Sequence, residues 1–275
     1  MRTTIKAAGT ACLLAVIGAV PASAADLGAG PVYEPAPAYG DTPGFSLSAG
    51  GLAVVKPKYE GSKEYEVIGV PYVAPSGGGS GFVQFKGVDD LRFRLLDYYG
   101  LEAGPVAGYR FGRDQDDAAR LIGLGDVDGG LVVGGFVAYR FGPVTPFVSY
   151  NHQVTGDETG GLLRAGIETK REFGRVTATL IAGATWADDD YMASYFGVTA
   201  AQSAASGLAA FDAEAGIKDV HLGASADVAL SERWTLKLTG RYAHLLGDAA
   251  DSPITETESQ WMGGLGLAYR FSIPR

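Results

Sequence analysis

The chain has 275 residues, with 22 Lys+Arg against 31 Asp+Glu and a formal net charge of −9. This acidic balance disfavours nucleic acid as a partner. The chain is 47% hydrophobic and carries 41 glycines, 14 tyrosines and 12 phenylalanines, which favours an all-β protein. After the first residues, no uninterrupted apolar run is long enough for a membrane-spanning helix.

The first 24 residues are predicted to be a secretory signal peptide. Residues 1–6 are basic, 11–20 are apolar, and Ala22-Ser23-Ala24 is a cleavage site of small residues. The apolar run is too short for the alternative, a transmembrane anchor. Cleavage after Ala24 would remove Cys12, the only cysteine, together with two cations, so that the net charge becomes −11. Residues 25–43, rich in Pro and Ala, are predicted to be a periplasmic lead-in that cannot build a core.

A series of short strands is predicted after the lead-in. The twelve predicted strands are 44–56, 65–74, 81–87, 91–97, 101–112, 131–141, 144–154, 162–173, 176–186, 217–230, 234–246 and 260–271. Pro71 in the second strand predicts an edge or a bulge, since proline cannot donate to a strand ladder.

The connections between the predicted strands are sorted by length. If the amino end lies in the periplasm, the tight turns 142–143, 174–175 and 231–233 are periplasmic. The long loops 113–129, 187–212 and 247–258 are then outside. Short periplasmic turns and longer outer loops are typical of outer-membrane barrels.

The strand Trp234–Tyr242 alternates apolar and polar side chains with a period of two. Its aromatic ends, and the two cations on its opposite face, indicate that the apolar side meets lipid and the polar side an enclosed lumen. Four charges are predicted to face this lumen: Arg164, Glu168, Lys237 and Arg241. We therefore predict a closed antiparallel transmembrane β-barrel over residues 44–271, with 272–275 as a C-terminal extension. The alternative is a secreted soluble barrel or sandwich.

Several segments resemble the MipA/OmpV family of outer-membrane proteins. They are Tyr195-Phe196-Gly197-Val198, 202–208, 246–253 and the closing 263–271, with Pro57-x-Tyr59-x-Gly61-Ser62 and Pro71 nearer the amino end. The positions that carry the resemblance are Tyr59, Gly61, Tyr195, Phe196, Gly197, Val198, Ser206, Gly207, Gly247, Asp248, Asp251, Ser252 and Pro253. The resemblance implies location in the outer membrane of a Gram-negative cell, contact with outer-membrane lipid, and insertion by the barrel-assembly machinery. Phe271 departs from the usual terminal aromatic because four residues follow it.

The resemblance also implies a non-enzymatic scaffold that brings a lytic transglycosylase to a peptidoglycan synthase. Two alternatives stay open: a narrow small-solute channel, and a surface adhesin acting through its outer loops. By strand parity the segments 195–208 and 246–253 lie near the outer loops, whereas a peptidoglycan scaffold makes its contacts in the periplasm. Either these loops fold into the bore and serve the structure, or they reflect another role. The Gly, Ser and Ala residues around Tyr195 and Phe196 resemble a plug, so we expect the first.

Three sets of residues have side chains that could bind a metal ion or catalyse hydrolysis, but ordinary structural roles are favoured for each. His152, His221 and His244 lack metal-ligand spacing, so no metal or other cofactor is expected. Asp188-Asp189-Asp190 could hold a cation, but a solvated loop is favoured. Asp248, Asp251 and Ser252 near His244 supply hydrolase residue types without a motif that fixes their geometry, so no enzyme is expected.

Overall fold

The structure, a computed structural model, describes residues 45–77, 82–157 and 159–272. The predicted signal peptide, the lead-in and residues 273–275 lie outside these ranges. The domain boundaries predicted there stay predictions.

The described chain forms one antiparallel sheet. Its strands are β1 Phe45–Pro57, β2 Tyr65–Gly77, β3 Val83–Gly87, β4 Asp90–Phe93, β5 Leu96–Tyr98, β6 Leu101–Arg110, β7 Gly130–Tyr139, β8 Val144–Gln153, β9 Gly161–Phe173, β10 Val176–Ala187, β11 Gly216–Ala229, β12 Trp234–Leu245 and β13 Ser259–Ser272. Three helices lie in the connections: α1 Asp189–Phe196, α2 Ala200–Ser206 and α3 Gly247–Asp251. No helix within the described ranges is both long and apolar enough to cross a bilayer.

The sheet is curled, so that the two ends of the chain meet. Neighbouring strands follow the order β2-β1-β13-β12-β11-β10-β9-β8-β7-β6-β4-β3, and β5 pairs with β6. The first and last strands form a continuous ladder that begins at Ser46 opposite Ser272. The ends of the ribbon are β2 and β3, which are consecutive in sequence, and the rings of Tyr72 and Phe85 meet edge to face across them at 6.4 Å. The prediction that Pro71 marks an edge strand is confirmed, because β2 is one end of this path.

The predicted single strand 91–97 is wrong, because it is divided into β4 and β5. Arg92 pairs with Val106 in β6, but Leu96 pairs with Ala103, so the register shifts by one residue between them. A shift of this kind is a β-bulge, in which one strand carries an extra residue. Gly104 lies opposite the bulge, and a Cβ there would come within 1.8 Å of the Phe93 carbonyl oxygen. Only glycine allows the backbones to approach so closely.

The distribution of polarity is the reverse of that in a soluble protein. On β12, Trp234 and Leu238 are 45% and 41% exposed, whereas Lys237 between them is 2% exposed. On β9, Ile167 is 53% exposed while Arg164 is buried. A soluble sandwich would bury the apolar side chains and expose the charges. The outer face is therefore suited to hydrocarbon and the inner face is polar.

The connections are sorted between the two ends of the sheet as predicted. The turns 99–100, 140–143, 174–175 and 230–233 lie at one end, here called the turn end. The connections 58–64, 111–129, 154–160, 188–215 and 246–258 lie at the other, here called the loop end. Two predicted turns are longer than expected, since β7 ends at Tyr139 and β11 at Ala229.

Candidate functional site

Four connections of the loop end, 58–64, 111–129, 188–215 and 246–258, pack together into one structure, here called the cap. One buried cluster joins helix α1 to the barrel rim and to α3. Its members are Leu162, Ala187, Tyr191, Met192, Tyr195, Phe196, Ala213, Leu245 and Ala249. Phe196 is fully buried, and the rings of Tyr191 and Tyr195 stack at 4.6 Å.

A second buried cluster ties the remaining loops to the first. Its members are Tyr59, Ala118, Leu121, Leu124, Val198 and Ile254, with Leu208 and Phe211 at its edge. Phe211 packs against both clusters, and its backbone pairs with Val198. The cap is therefore one apolar core made from four loops, each of which buries side chains that it could not bury alone.

Local sequence explains why this part of the cap is helical. The Asp188 side chain caps α1 by accepting from the Tyr191 amide at 3.0 Å, and Thr199 and Gln202 form a reciprocal capping box at α2. Gly207 ends α2 with φ +78°, the left-handed conformation that glycine adopts most readily. These signals could have predicted both helices, which the strand analysis left as a long connection.

Polar contacts join the loops of the cap to one another and, through Glu60 and Lys218, to the sheet. Arg113 donates to the Tyr195 carbonyl oxygen at 2.9 Å, and Ser252 donates to the Phe196 carbonyl oxygen at 2.6 Å. Glu60 accepts from the Tyr191 hydroxyl at 2.8 Å and forms an ion pair with Lys218. Buried side chains that keep these bonds avoid the cost of unsatisfied polar groups.

The positions that carry the family resemblance converge in the cap. Tyr59, Tyr195, Phe196 and Val198 are in its core, and Gly197 and Gly207 end its helices. Ser206 bonds the backbone of α2 and Gly247 begins α3. Asp248 accepts from the Glu214 amide, Asp251 closes α3, and the carbonyl oxygen of Pro253 accepts from Arg120. Gly61 has φ +91° and receives two amide donors from Glu256 and Thr257.

Two titratable groups from different loops of the cap, Tyr59 and Glu256, are hydrogen-bonded to each other. The Tyr59 hydroxyl donates to Glu256 at 3.1 Å, and Lys63 contacts the same carboxylate at 2.9 Å. Burial, and then the nearby Glu256 charge, raise the pKa of Tyr59 well above its ordinary value. Partial burial acts to raise the pKa of Glu256, but the bonds from Lys63 and Tyr59 outweigh it, so this pKa is lowered.

Below the cap, charged side chains fill much of the interior, beside two buried apolar clusters that include Leu52 and Phe136. Arg164 of β9 forms an ion pair with Asp89, in the turn between β3 and β4. Arg92 binds Asp90 through two bonds of 2.9 and 2.8 Å, and its guanidinium lies 4.8 Å from the centre of the Phe147 ring. Arg92 and Asp90 both lie on β4. The Arg164–Asp89 and Arg92–Phe147 contacts join parts of the sheet that are not neighbours, so these two contacts span the bore.

The other predicted lumen charges also lie in this interior. Glu168 of β9 binds Lys86 of β3 at 3.0 Å, across the bore. Lys237 pairs with Asp227 at 2.8 Å and lies 4.6 Å from the centre of the Tyr72 ring.

Arg241 contacts Asp219 at 3.5 Å, and Asp219 also binds Lys218. Lys86, Asp89, Asp90 and Arg92 were missed by the sequence analysis. The alternation of β3 and β4 would have placed Lys86 and Arg92 on the inner face.

A small cavity remains among these side chains. Its walls include Lys86, Asp90, Arg164, Glu168 and Arg241, and its volume is about 30 Å³. A buried water needs ~10–15 Å³ of such volume, so this cavity has room for about two waters. The interior at this level is packed rather than open.

The residues considered above for cation binding or hydrolysis make structural contacts in and beside the cap. The carboxylate of Asp188 accepts from the amides of Gly161 and Tyr191, and Asp189 accepts from the Ala215 amide at 2.7 Å. Ser252 donates to a carbonyl oxygen, while His244 lies 3.4 Å from Glu258. No group of three or more His, Cys, Asp or Glu side chains suited to a metal ion occurs within residues 45–77, 82–157 and 159–272.

The family described as MltA-interacting protein MipA matches residues 49–271. Outer membrane protein Omp26La of Vibrio anguillarum is 27% identical over 158 residues, which covers 58% of this chain and 61% of that protein. Outer membrane protein OmpV of Vibrio cholerae serotype O1 is 27% identical over 160 residues, with the same coverage. The chain thus spans about three fifths of the length of the curated relatives it matches.

A solved structure of Pseudomonas putida OprB has a TM-score of 0.37 and 14% identity, covering 85% of this chain and 57% of that one. A score this low carries no argument, and the fold described above rests on the strand pairing itself. No enzymatic family is indicated by the family match or by these relatives. Since the family match extends over nearly the whole described sheet and both relatives are outer-membrane proteins, the chain belongs to the MltA-interacting protein MipA family and is an outer-membrane protein.

Proposed function

We propose that this protein is a non-enzymatic scaffold that holds peptidoglycan-remodelling enzymes at the outer membrane. The observation that carries the proposal is the packed interior: charges pair across the bore and leave a cavity of about 30 Å³ under a cap with an apolar core. A protein with this interior offers surfaces rather than a passage. The family description, MltA-interacting protein, supports a lytic transglycosylase as one partner, and a peptidoglycan synthase is the other partner of the proposed scaffold.

A periplasmic enzyme would meet the turn end if the long loops face outward. A network of ion pairs stiffens part of this end. Arg140 binds Asp97 at 2.6 Å and Glu102 at 2.9 Å, and Arg94 binds Glu102 at 2.9 Å. We place the enzyme contact on this side of the protein, beside the exposed Phe141.

Site-specific photo-crosslinking in intact cells tests the contact. A photoreactive residue replaces Phe141, which is 74% exposed at the turn end, or Ile122, which is 60% exposed at the loop end. We expect a lytic transglycosylase or a peptidoglycan synthase among the proteins linked at position 141 and absent at position 122. Recovery of neither enzyme at position 141 would contradict the scaffold proposal.

The proposal includes closure of the wall between β2 and β3, for which the Tyr72–Phe85 contact is the support. A closed barrel should migrate differently on a gel before and after boiling, and identical mobility would contradict closure.

A narrow channel is the competing function. Steady single-channel steps in a planar bilayer would favour it, and we expect none while the interior pairs are intact.

A further inference from the structure

The two ends of the sheet differ in charge. Carboxylates dominate the cap, for example in Asp114-Gln115-Asp116-Asp117 and Asp188-Asp189-Asp190. At the turn end, the cations near β5 and β7 are neutralised, since Arg94 and Arg140 pair with Asp97 and Glu102. Further round the same end, between β9 and β13, three arginines form no ion pair with the residues that the structure describes.

Three arginines define this second region, here called the collar: Arg171 near the end of β9, Arg175 in the turn to β10, and Arg233 in the turn to β12. All three are exposed. Within the described ranges, Arg171 and Arg175 form no ion pair, and the Arg233 guanidinium donates only to the Tyr269 hydroxyl, at 3.2 Å. Glu172 follows Arg171 on β9 and Glu232 lies beside Arg233, so three arginines stand against two carboxylates and the collar is net positive.

One member of the collar, Arg171, lies on the outer face of the sheet, and the other two lie in turns at the edge of that face. Arg171 shares the outer face with Ile167 and Phe173, which are 53% and 65% exposed, because residues two apart on a strand face the same way. Leu230, just before Arg233, is 50% exposed.

Aromatic rings extend this surface from the arginines toward the hydrocarbon region. The Trp234 and Tyr269 rings meet at 5.0 Å, and the Tyr269 and Phe271 rings at 4.7 Å. Tyr and Trp are enriched at the membrane–water interface, where one end of the ring meets apolar chains and the other meets polar groups.

We propose that the collar binds the phosphate headgroups of anionic phospholipids in the leaflet at the turn end. Guanidinium groups bind phosphate through paired hydrogen bonds, and the aromatic and aliphatic side chains beside them would receive the acyl chains. The lipid is favoured over an acidic protein because the arginines continue an outward apolar face instead of a water-facing one. Arg175 and Arg233 are two strand spacings apart, about 10 Å across the strands, which suits one or two adjacent headgroups. Arg171 lies further along the sheet, level with Leu238 of β12.

Native mass spectrometry of the full chain, released from bilayers of equal phosphatidylglycerol and phosphatidylcholine, tests this proposal. The test variant is R171Q/R175Q/R233Q. The control variant, K58Q/K63Q/R120Q, removes the same charge from the loop end. Each basic residue near an anionic membrane surface strengthens binding to that surface. Each arginine removed should therefore weaken phosphatidylglycerol binding about fivefold. We expect that loss in the collar variant, near-unchanged binding in the control, and substantial retention in R171K/R175K/R233K.

Gel mobility before and after boiling shows whether each variant has folded, and only folded protein is compared. Wild-type phosphatidylglycerol binding by the collar variant would overturn the proposal. An equal loss in the loop-end control would also overturn it, because the effect would then follow net charge alone. Capture of an acidic protein by the collar with no change in lipid binding would assign the surface to a protein instead.

Discussion

Replacing Phe196 by Ala should loosen the cap without unfolding the sheet. The Phe196 side chain is completely buried, with an exposed fraction of 0%. It lies in the cluster that joins α1 to α3 and the barrel rim. Truncation of a buried Phe costs about 3–5 kcal/mol. The bond from Ser252 is retained, because it is accepted by the backbone carbonyl of residue 196. If the cap opens as a unit, its opening equilibrium should rise by roughly 10²- to 4 × 10³-fold, since ~1.4 kcal/mol is tenfold.

Hydrogen exchange of the full chain in detergent measures this opening. We expect amides of 188–215 and 246–258 to exchange faster by that factor, while amides of β9 to β12 keep their protection. Ile122→Ala is the matched control, since this side chain in the same cap is 60% exposed and its truncation should change stability by less than about 0.5 kcal/mol. Unchanged exchange in Phe196→Ala, or equal acceleration in the strands, would refute the view that the cap is a separate cooperative unit.

Three further outcomes are expected. Arg164→Ala leaves Asp89 buried without its cation and should lower the free energy of unfolding, measured with urea in lipid vesicles, by about 3–5 kcal/mol, part of which an added Asp89→Ala should restore. Leu222→Arg puts a charge on the outer face, where Leu222 is 61% exposed, and should cost about 2–4 kcal/mol in the same assay if this face meets the bilayer midplane; no cost would contradict lipid contact. Because the pKa of Glu256 is lowered, the ionised carboxylate stabilises the cap at pH values above about 4.5, the ordinary pKa of glutamate. This stabilisation is lost as the pH falls through the lowered pKa. Hydrogen exchange of the cap, corrected for the intrinsic effect of pH, should therefore rise at that pH in the wild type and change less in Glu256→Gln.

The pattern of strands could be predicted from sequence because the wall of the sheet obeys a local rule. A side chain facing the bore and one facing outward alternate along each strand, so Arg164 and Lys237 are identifiable without knowing what they touch. The lengths of the connections can also be read from the sequence, and they identify the two ends of the sheet.

The partners of these side chains could not be predicted. The pairing of Arg164 with Asp89 depends on the curl of the sheet, which brings β9 opposite the short β3–β4 turn. The bulge near Phe93 depends on the close approach of that backbone to Gly104, which no local pattern in 91–97 records. The cap is harder still, since Phe196 and Ile254 find their neighbours only when four separate loops have met.

The ladder between β1 and β13 has a consequence for biogenesis. Ser46 can find Ser272 only after the last strand has been made, so both edges of this ladder stay unsatisfied throughout export. Exposed strand edges invite pairing with other chains, and hydrocarbon offers no water to satisfy them. Insertion of β1 into hydrocarbon before β13 is available would therefore leave one edge of β1 without hydrogen-bond partners.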